Sequence, residues 1–215
     1  GKIFNAQEVQ AIIAGNKTVF REVIKPQLFD YKKATFFNGK AVFAAHDLPV
    51  QLVKCPYQVG QKIFVKESFR EHAFCKHHFK ADDKERKWSM GSITKNFLLA
   101  QRMKQEHSRL TLEITDIKVE RFAEISKEDA IKEGATSRRN CHGYGNRYEG
   151  WCMNWNKVGE ASKWASNRKT LSESDVCMGS AQYAFGNSWN ATHKKPEEKF
   201  EANPFVWVVD FKINK

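Results

Sequence analysis

Alternation of apolar and polar residues predicts three strands. Residues 110–115, LTLEIT, alternate strictly, and from Asp116 onwards the apolar positions continue one step out of phase. Such a phase shift indicates a β-bulge or two consecutive strands. Residues 205–213 alternate after Pro204, which is the place where a strand tolerates proline. Residues 63–67 alternate after the turn residue Gly60 and predict the third strand.

Two short stretches have the signals of helix ends. Asn5 precedes a short apolar face and has Glu8 three residues later, which is a capping pattern, and Gly15 suits the left-handed residue that ends a helix. The segment ISKEDAIKEGA repeats this arrangement, with Ser126 and the carboxylate three residues later as a capping box and Gly134 as the end.

The order of these elements predicts an α+β fold. Strands separated by short helices, without a regular βαβ rhythm, favour a small β-barrel or curled sheet of mixed, mostly antiparallel strands with helices on its rim. Residues 18–54 are predicted as loop and short strands. We expect a single domain over 1–215, with insertions at about 72–104 and 136–180 where the composition turns charged or rich in Gly, Asn and Ser.

Composition adds a prediction about partners. Hydrophobic residues make up 41% of the chain, including 6 Trp and 16 Phe, so it can build a core. The formal charge of +11 favours nucleic acid or another polyanion as partner. No run of eighteen apolar residues and no signal-like leader is present, so we expect no membrane partner. The 5 cysteines are odd in number and follow no framework spacing, which favours a reducing cytoplasm.

Several segments, taken in order, carry a resemblance to a known family. Gly15, Lys17, Thr18 and Arg21 follow the first helix; CPYQVGQKIFVKESF, SRLTLEITDIKVERF, ISKEDAIKEGA and NPFVWVVDF come after them. In this order the chain resembles the ASCH-domain family of the PUA-like superfamily, in particular its bacteriophage and prophage form. The resemblance implies a PUA-like β-barrel with a cleft beside the Gly-x-Lys segment. It also implies action on RNA or modified nucleosides, since a bacterial branch hydrolyses N4-acetylcytidine.

The resemblance also suggests site residues. In the amidohydrolase branch a Lys, a Thr three residues later and a Glu on the second helix form the site; here they fall at Lys17, Phe20 and Glu133. Phe20 supplies no hydroxyl nucleophile. We therefore expect a binding protein for RNA or a modified nucleotide, with Lys17, Thr18, Arg21 and Glu133 as ligand contacts. A hydrolase with Lys17 and Glu133 as catalytic residues, or a phage assembly or host-interaction protein, is the alternative.

The second insertion suggests an outer surface for nucleic acid. Residues 136–170 carry seven Lys or Arg against two Glu, interleaved with Tyr and Trp. Aromatic rings stack on unpaired bases while cations follow the backbone, although a Trp pair four residues apart also suits a buried helix face. The residues predicted for this surface are Arg138, Arg139, Arg147, Trp151, Trp155, Lys163 and Trp164.

Metal and cofactor chemistry have weaker support. His72, Cys75, His77 and His78 cluster, and Cys141, His142 and Cys152 follow, but no Cys-x-x-Cys pair is present. There is no phosphate-binding or dinucleotide glycine motif. We therefore predict no metal and no cofactor.

Overall fold

The computed structural model describes residues 1–71, 77–82, 97–139, 149–154 and 177–214. Strands and helices in these ranges form an α+β fold whose strand pairs are mostly antiparallel. The strands are β1 (Lys2–Ile3), β2 (Val19–Val23), β3 (Ala34–Phe37), β4 (Lys40–Ala45), β5 (Leu48–Lys54), β6 (Lys62–Lys66), β7 (Phe69–Glu71), β8 (His77–Phe79), β9 (Thr111–Arg121), β10 (Thr136–Arg139), β11 (Glu149–Cys152) and β12 (Phe205–Asn214). The helices are α1 (Ala6–Ile13), α2 (Lys127–Lys132) and α3 (Ala181–Thr192), with 3-10 turns at Lys80–Asp82, Ala100–Arg102, Gln105–His107, Phe122–Glu124, Pro196–Glu198 and Phe200–Ala202.

The central sheet has the strand order β1-β6-β9-β12-β2. Strand β1 is parallel to β6, and the other neighbours are antiparallel. Between β9 and β12 the register steps from Asp116 opposite Asp210 to Ile114 opposite Phe211. Thr115 is therefore the extra residue of a β-bulge within one strand, which confirms the first of the two interpretations of the phase shift.

A second, three-stranded sheet occupies residues 34–54, in the order β3-β4-β5. Asn38 and Gly39 connect β3 to β4 with φ angles of 46° and 73°. Two consecutive positive φ values make the two-residue turn that best fits the twist of a hairpin, and Asn-Gly is the pair that best adopts it. The segment predicted as loop and short strands thus contains a regular antiparallel sheet.

Strand β12 is buried on both faces, because two clusters of apolar side chains pack against it. Phe205, Trp207, Val209 and Phe211 enter one cluster together with β6, β9 and the second sheet. Val206 and Val208 enter the other, which contains α2 and α3. The strand predicted from alternation is therefore a central strand between two layers.

The sequence predicted a small β-barrel or a curled sheet, and the described strands do not form a closed barrel. They form separate sheets of five, three, two and two strands, and β1 and β2 are the open edges of the largest. The two predicted insertions lie largely outside the described ranges. Within those ranges, no helix has the length and apolar character needed to span a membrane.

Candidate functional site

The end of α1 places Lys17. The backbone N–H groups of Asn16 and Lys17 both donate to the carbonyl of Ala11, at 2.8 and 3.1 Å, while Gly15 has a φ of 74°. This left-handed turn closes the helix and directs the chain into β2. The capping box at the other end is also formed: Asn5 accepts from the Glu8 N–H, and the Glu8 carboxylate accepts from the Asn5 N–H, both at 2.9 Å. The predicted start and end of this helix are thus confirmed.

The end of α2 places Glu133 in the same way. Ser126 caps the helix by accepting from the Asp129 N–H at 3.0 Å, and Glu133 is the last residue before Gly134, whose φ is 108°. The Thr18 N–H donates to the carbonyl of Lys132 at 2.9 Å, so the ends of both helices lie side by side.

Lys17, Arg21 and Glu133 form one hydrogen-bonded cluster. Lys17 Nζ lies 2.5 Å from Glu133 Oε2 and 3.1 Å from the Glu133 carbonyl oxygen. Arg21 Nη1 donates to Glu133 Oε1 at 3.0 Å. Each carboxylate oxygen of Glu133 therefore binds a different cation. The structure thus brings together Lys17 and Glu133, which are 116 positions apart in the chain. Both residues were predicted for one site.

Three further carboxylates surround this cluster, and sequence reasoning missed them as site residues. Glu8 Oε1 lies 3.8 Å from Lys17 Nζ, while Glu120 Oε2 and Asp129 Oδ2 lie 3.4 and 3.7 Å from Arg21 Nη2. Two cations thus face four carboxylates. In the sequence, Glu8 and Asp129 were recognised only as residues of the capping patterns at the starts of α1 and α2. Their contacts with Lys17 and Arg21 were not predicted.

The cluster is closed to solvent in this structure. The side chains of Lys17, Arg21 and Glu133 are 2%, 0% and 1% exposed, so an open cleft does not lie directly at their charged ends. The surrounding Glu8, Glu120 and Asp129 are about a quarter to a third exposed and form the boundary with water. Arg21 Nε is buried without a hydrogen-bond partner among the described residues, which leaves one polar group of the cluster unsatisfied.

Phe20 and Thr18 belong to the same segment as Lys17 and Arg21. Phe20 packs in a different layer, and Thr18 contributes backbone hydrogen bonds. Phe20 is 3% exposed and packs in the cluster of apolar side chains on the other side of β2, against the rings of Phe4, Tyr57 and Phe211. Thr18 uses its backbone to join α2 and β12, because its carbonyl accepts from the Phe211 N–H at 2.9 Å. Successive residues of a strand face opposite sides, so position 20 lies outside the layer that holds Lys17 and Arg21.

The predicted outer surface for nucleic acid is corrected at Trp151. This side chain is 7% exposed and packs in the apolar cluster of α2 and α3, with Lys127 Nζ 5.1 Å from its ring, so it offers no face for stacking. Arg138 and Arg139 are exposed on β10. Arg147, Trp155, Lys163 and Trp164 lie outside the described ranges.

The His and Cys residues do not form a metal site in the described parts of the chain. No three His, Cys, Asp or Glu side chains there are grouped so that they could hold a metal ion. The His77 ring packs against Phe69 and His107. Cys177 is disulfide-bonded. His72, Cys75, Cys141 and His142 lie outside the described ranges.

A second polar group, on the other face of β2, consists of Lys2, Glu22 and Tyr57. Glu22 Oε2 accepts from Lys2 Nζ and, at 2.6 Å, from the Tyr57 hydroxyl. Partial burial alone raises the pKa of the Glu22 carboxyl, but the charge and hydrogen bond of Lys2, together with Tyr57, outweigh it and hold this pKa below its ordinary value. Burial and the bond to Glu22 raise the pKa of Tyr57, so its hydroxyl remains a donor. Glu22 also lines a groove of about 340 Å³ beside Lys25, Lys54 and His193.

This group predicts a pH dependence of folding stability. Because the pKa of Glu22 is lower in the folded chain than in the unfolded one, its contribution is fully present above the unfolded value and is lost as the pH falls through the folded value. We expect Glu22→Gln to flatten the decline of the free energy of unfolding between neutral and acidic pH, as measured by urea titrations at several pH values. Asp30→Asn, which changes an exposed carboxylate, is the control; an equal flattening in both variants would contradict the assignment.

No family model, no curated protein and no solved structure matches the chain.

Proposed function

We propose that the protein is an ASCH-type domain with a PUA-like fold that binds RNA or a modified nucleotide, and that Lys17, Arg21 and Glu133 form the polar centre of its ligand site. The observation that carries this proposal is the contact between Lys17 and Glu133. They come from two separate blocks of the resemblance, the Gly-x-Lys segment and the second helix, and they meet at 2.5 Å. Fully buried Lys, Arg and Glu side chains are rare in proteins and occur almost only when they are paired.

The charges of the cluster favour a nucleobase over a phosphate as the group bound there. With four carboxylates around two cations, a phosphate would meet a net negative site. The edge of a base, in contrast, presents hydrogen-bond acceptors beside donors. A carbonyl oxygen of the base would accept from Arg21, while an adjacent amino group would donate to Glu120 or Asp129.

The distances within the cluster favour the Arg21 side over the Lys17 side for contact with a base. The contacts among Lys17, Arg21 and Glu133 are 2.5 to 3.1 Å, whereas the contacts of Arg21 with Glu120 and Asp129 are 3.4 and 3.7 Å. The longer pair exceeds the usual length of a hydrogen bond. A base that displaces these outer contacts would have to open the closed cluster at Glu120 and Asp129 before it could reach Arg21.

The proposal is tested by two binding measurements. The affinity for a single-stranded RNA should fall steeply with salt, because lysines elsewhere on this basic protein neutralise its phosphates. The affinity for a nucleoside, which has no phosphate, should vary little with salt. Arg21→Lys, which keeps the charge and removes Nε, should weaken nucleoside binding about tenfold or more, whereas Lys118→Ala on the exposed face of β9 should leave it unchanged. RNA binding that is independent of salt, or nucleoside binding that is unaffected by Arg21→Lys, would contradict the proposal.

A hydrolase is the second candidate, and the direct Lys17–Glu133 contact favours it, since such a pair can pass a proton. Phe20 lies in the opposite layer, so a nucleophile would have to be water. Incubation with N4-acetylcytidine and analysis of the products tests this activity. Hydrolysis would be supported if the unmodified protein forms cytidine and neither Lys17→Ala nor Glu133→Gln does, while circular dichroism shows that both variants are folded. Turnover that persists in both variants would exclude this cluster as the catalytic site.

A further inference from the structure

An exposed row of three side chains crosses the outer face of the second sheet. In the strand register Phe37 lies opposite Lys40, and Lys40 lies opposite Lys54, so the three share one face across β3, β4 and β5. The neighbouring Phe36 packs its ring against the buried Trp207 on the inner face, which places Phe37 outwards. Phe37 is 65% exposed, and both lysines are exposed.

The two lysines lie directly opposite each other and form a like-charged pair. Side chains directly opposite each other in an antiparallel pair have their Cβ atoms about 5 Å apart, and like charges there destabilise the sheet. Among the described residues, neither Lys40 nor Lys54 forms an ion pair. In contrast, Lys118 and Lys212 of the central sheet have Asp116 and Glu113 as partners, at 3.6 and 3.1 Å. The pair on the second sheet is thus placed to receive an anion from outside.

The surroundings of the row are also basic and apolar. Residues 32–54 contain four lysines against one aspartate. Beside the row, the next positions on the same face are Thr35, Val42 and Leu52, and both Leu52 and Val50 are more than half exposed. An aromatic ring flanked by cations on an open antiparallel sheet is the arrangement that binds unpaired nucleotides.

We propose that this face binds single-stranded RNA, with a base stacked on Phe37 and the adjoining phosphate held between Lys40 and Lys54. The inference rests on the proposed function and extends it, because it assigns the phosphate-binding role that the acidic surroundings of Arg21 do not fill. Adjacent strands are about 4.8 Å apart, so both lysines lie within about 10 Å of the ring. A second copy of the chain would bring the same lysines against each other, and lysine is depleted in protein interfaces generally.

RNA titrations of four variants test this assignment. Lys40→Ala with Lys54→Ala should lower the slope of log affinity against log salt by about 0.7, since the two lysines hold one phosphate and each phosphate contact on a single strand contributes about 0.7. Lys118→Ala with Lys212→Ala is the matched control, because it removes the same charge from exposed strand lysines that already have carboxylate partners. Phe37→Leu should lower the affinity about 5- to 100-fold through lost stacking, whereas Phe37→Trp should keep it.

Lys40→Glu separates binding from folding. It replaces the repulsion across β4 and β5 with an attraction, so we expect the melting temperature to rise while the RNA affinity falls. If Lys40 had only a structural role in the sheet, Lys40→Glu would not raise the melting temperature and lower the RNA affinity together.

The outcomes distinguish this inference from the proposed function. If the protein binds RNA and the Lys40/Lys54 variant weakens it no more than the control does, the inference is overturned and the proposed function stands. If the chain binds a nucleoside through Arg21 but binds no RNA, the inference is again overturned. If it binds neither, both proposals fail. RNA affinity that is unchanged by Phe37→Leu and independent of salt would likewise overturn the inference.

Discussion

Glu133→Gln is expected to lower the free energy of unfolding by about 3–5 kcal/mol, which is the usual cost of removing one partner from a buried ion pair. Glu133 is 1% exposed and is the direct carboxylate partner of both Lys17 and Arg21. The outer carboxylates lie at 3.4 Å or more and replace it only in part. The amide would leave one oxygen acceptor for two buried cations and would set its NH₂ group against the other.

Urea or thermal unfolding of the purified variant measures this loss. Glu128→Gln, at an exposed position of the same helix, is the control and should change stability by less than about 0.5 kcal/mol. Combining Glu133→Gln with Lys17→Met should cost clearly less than the two single losses added together, since the pair is directly coupled. Additive losses, or a loss below about 1 kcal/mol for the single variant, would show that the cluster is not the buried ionic unit described above.

Phe20→Thr should destabilise the protein by about 3–5 kcal/mol without creating hydrolase activity. The substitution removes a ring that packs against three other aromatic rings, and it places a hydroxyl in an apolar layer. It also introduces the residue type that the resemblance would place there in the amidohydrolase branch. Because Phe20 and Lys17 lie in different layers, the new hydroxyl would be on the wrong side of β2 for catalysis.

Phe20→Leu is the control for this experiment, because it shrinks the side chain but keeps the layer apolar and should cost markedly less. Stability is read from urea unfolding, and activity from N4-acetylcytidine product analysis on the folded fraction. Hydrolysis gained in Phe20→Thr, and absent from Phe20→Leu, would show that position 20 reaches the Lys17 cluster after all.

The ends of helices were predictable because their signals are local. Asn5 and Glu8 mark the start of α1, and Gly15 and Gly134 end α1 and α2, through contacts between residues a few positions apart. The phase shift near Thr115 was visible in the sequence for the same reason, but only the strand register shows that it is a bulge and not the boundary between two strands. The sheet at residues 34–54 was predicted only as short strands, although its Asn-Gly turn is a strong hairpin signal.

The residues of the candidate site also divide into those that the sequence predicted and those that only the structure revealed. The resemblance predicted that Lys17, Arg21 and Glu133 belong together, and they do lie in contact. Glu8, Glu120 and Asp129 were not predicted as their neighbours, because nothing along the chain indicates that β9 and the first turns of both helices converge there. Trp151 was assigned to a surface from composition, and its burial depends on α3, which is distant in the sequence.

By itself, the sequence determined the helix ends, the phase shift in the strand that begins at residue 110 and the basic character of the protein, while the family resemblance suggested the pair Lys17 and Glu133. Only the tertiary structure decided that Lys17 and Arg21 are buried among four carboxylates, that Phe20 faces away from them, and that Lys40 and Lys54 lie opposite each other beside Phe37. The physical reason is that capping and alternation act between near neighbours in the chain. Burial and the net charge of a site depend instead on which distant segments pack together.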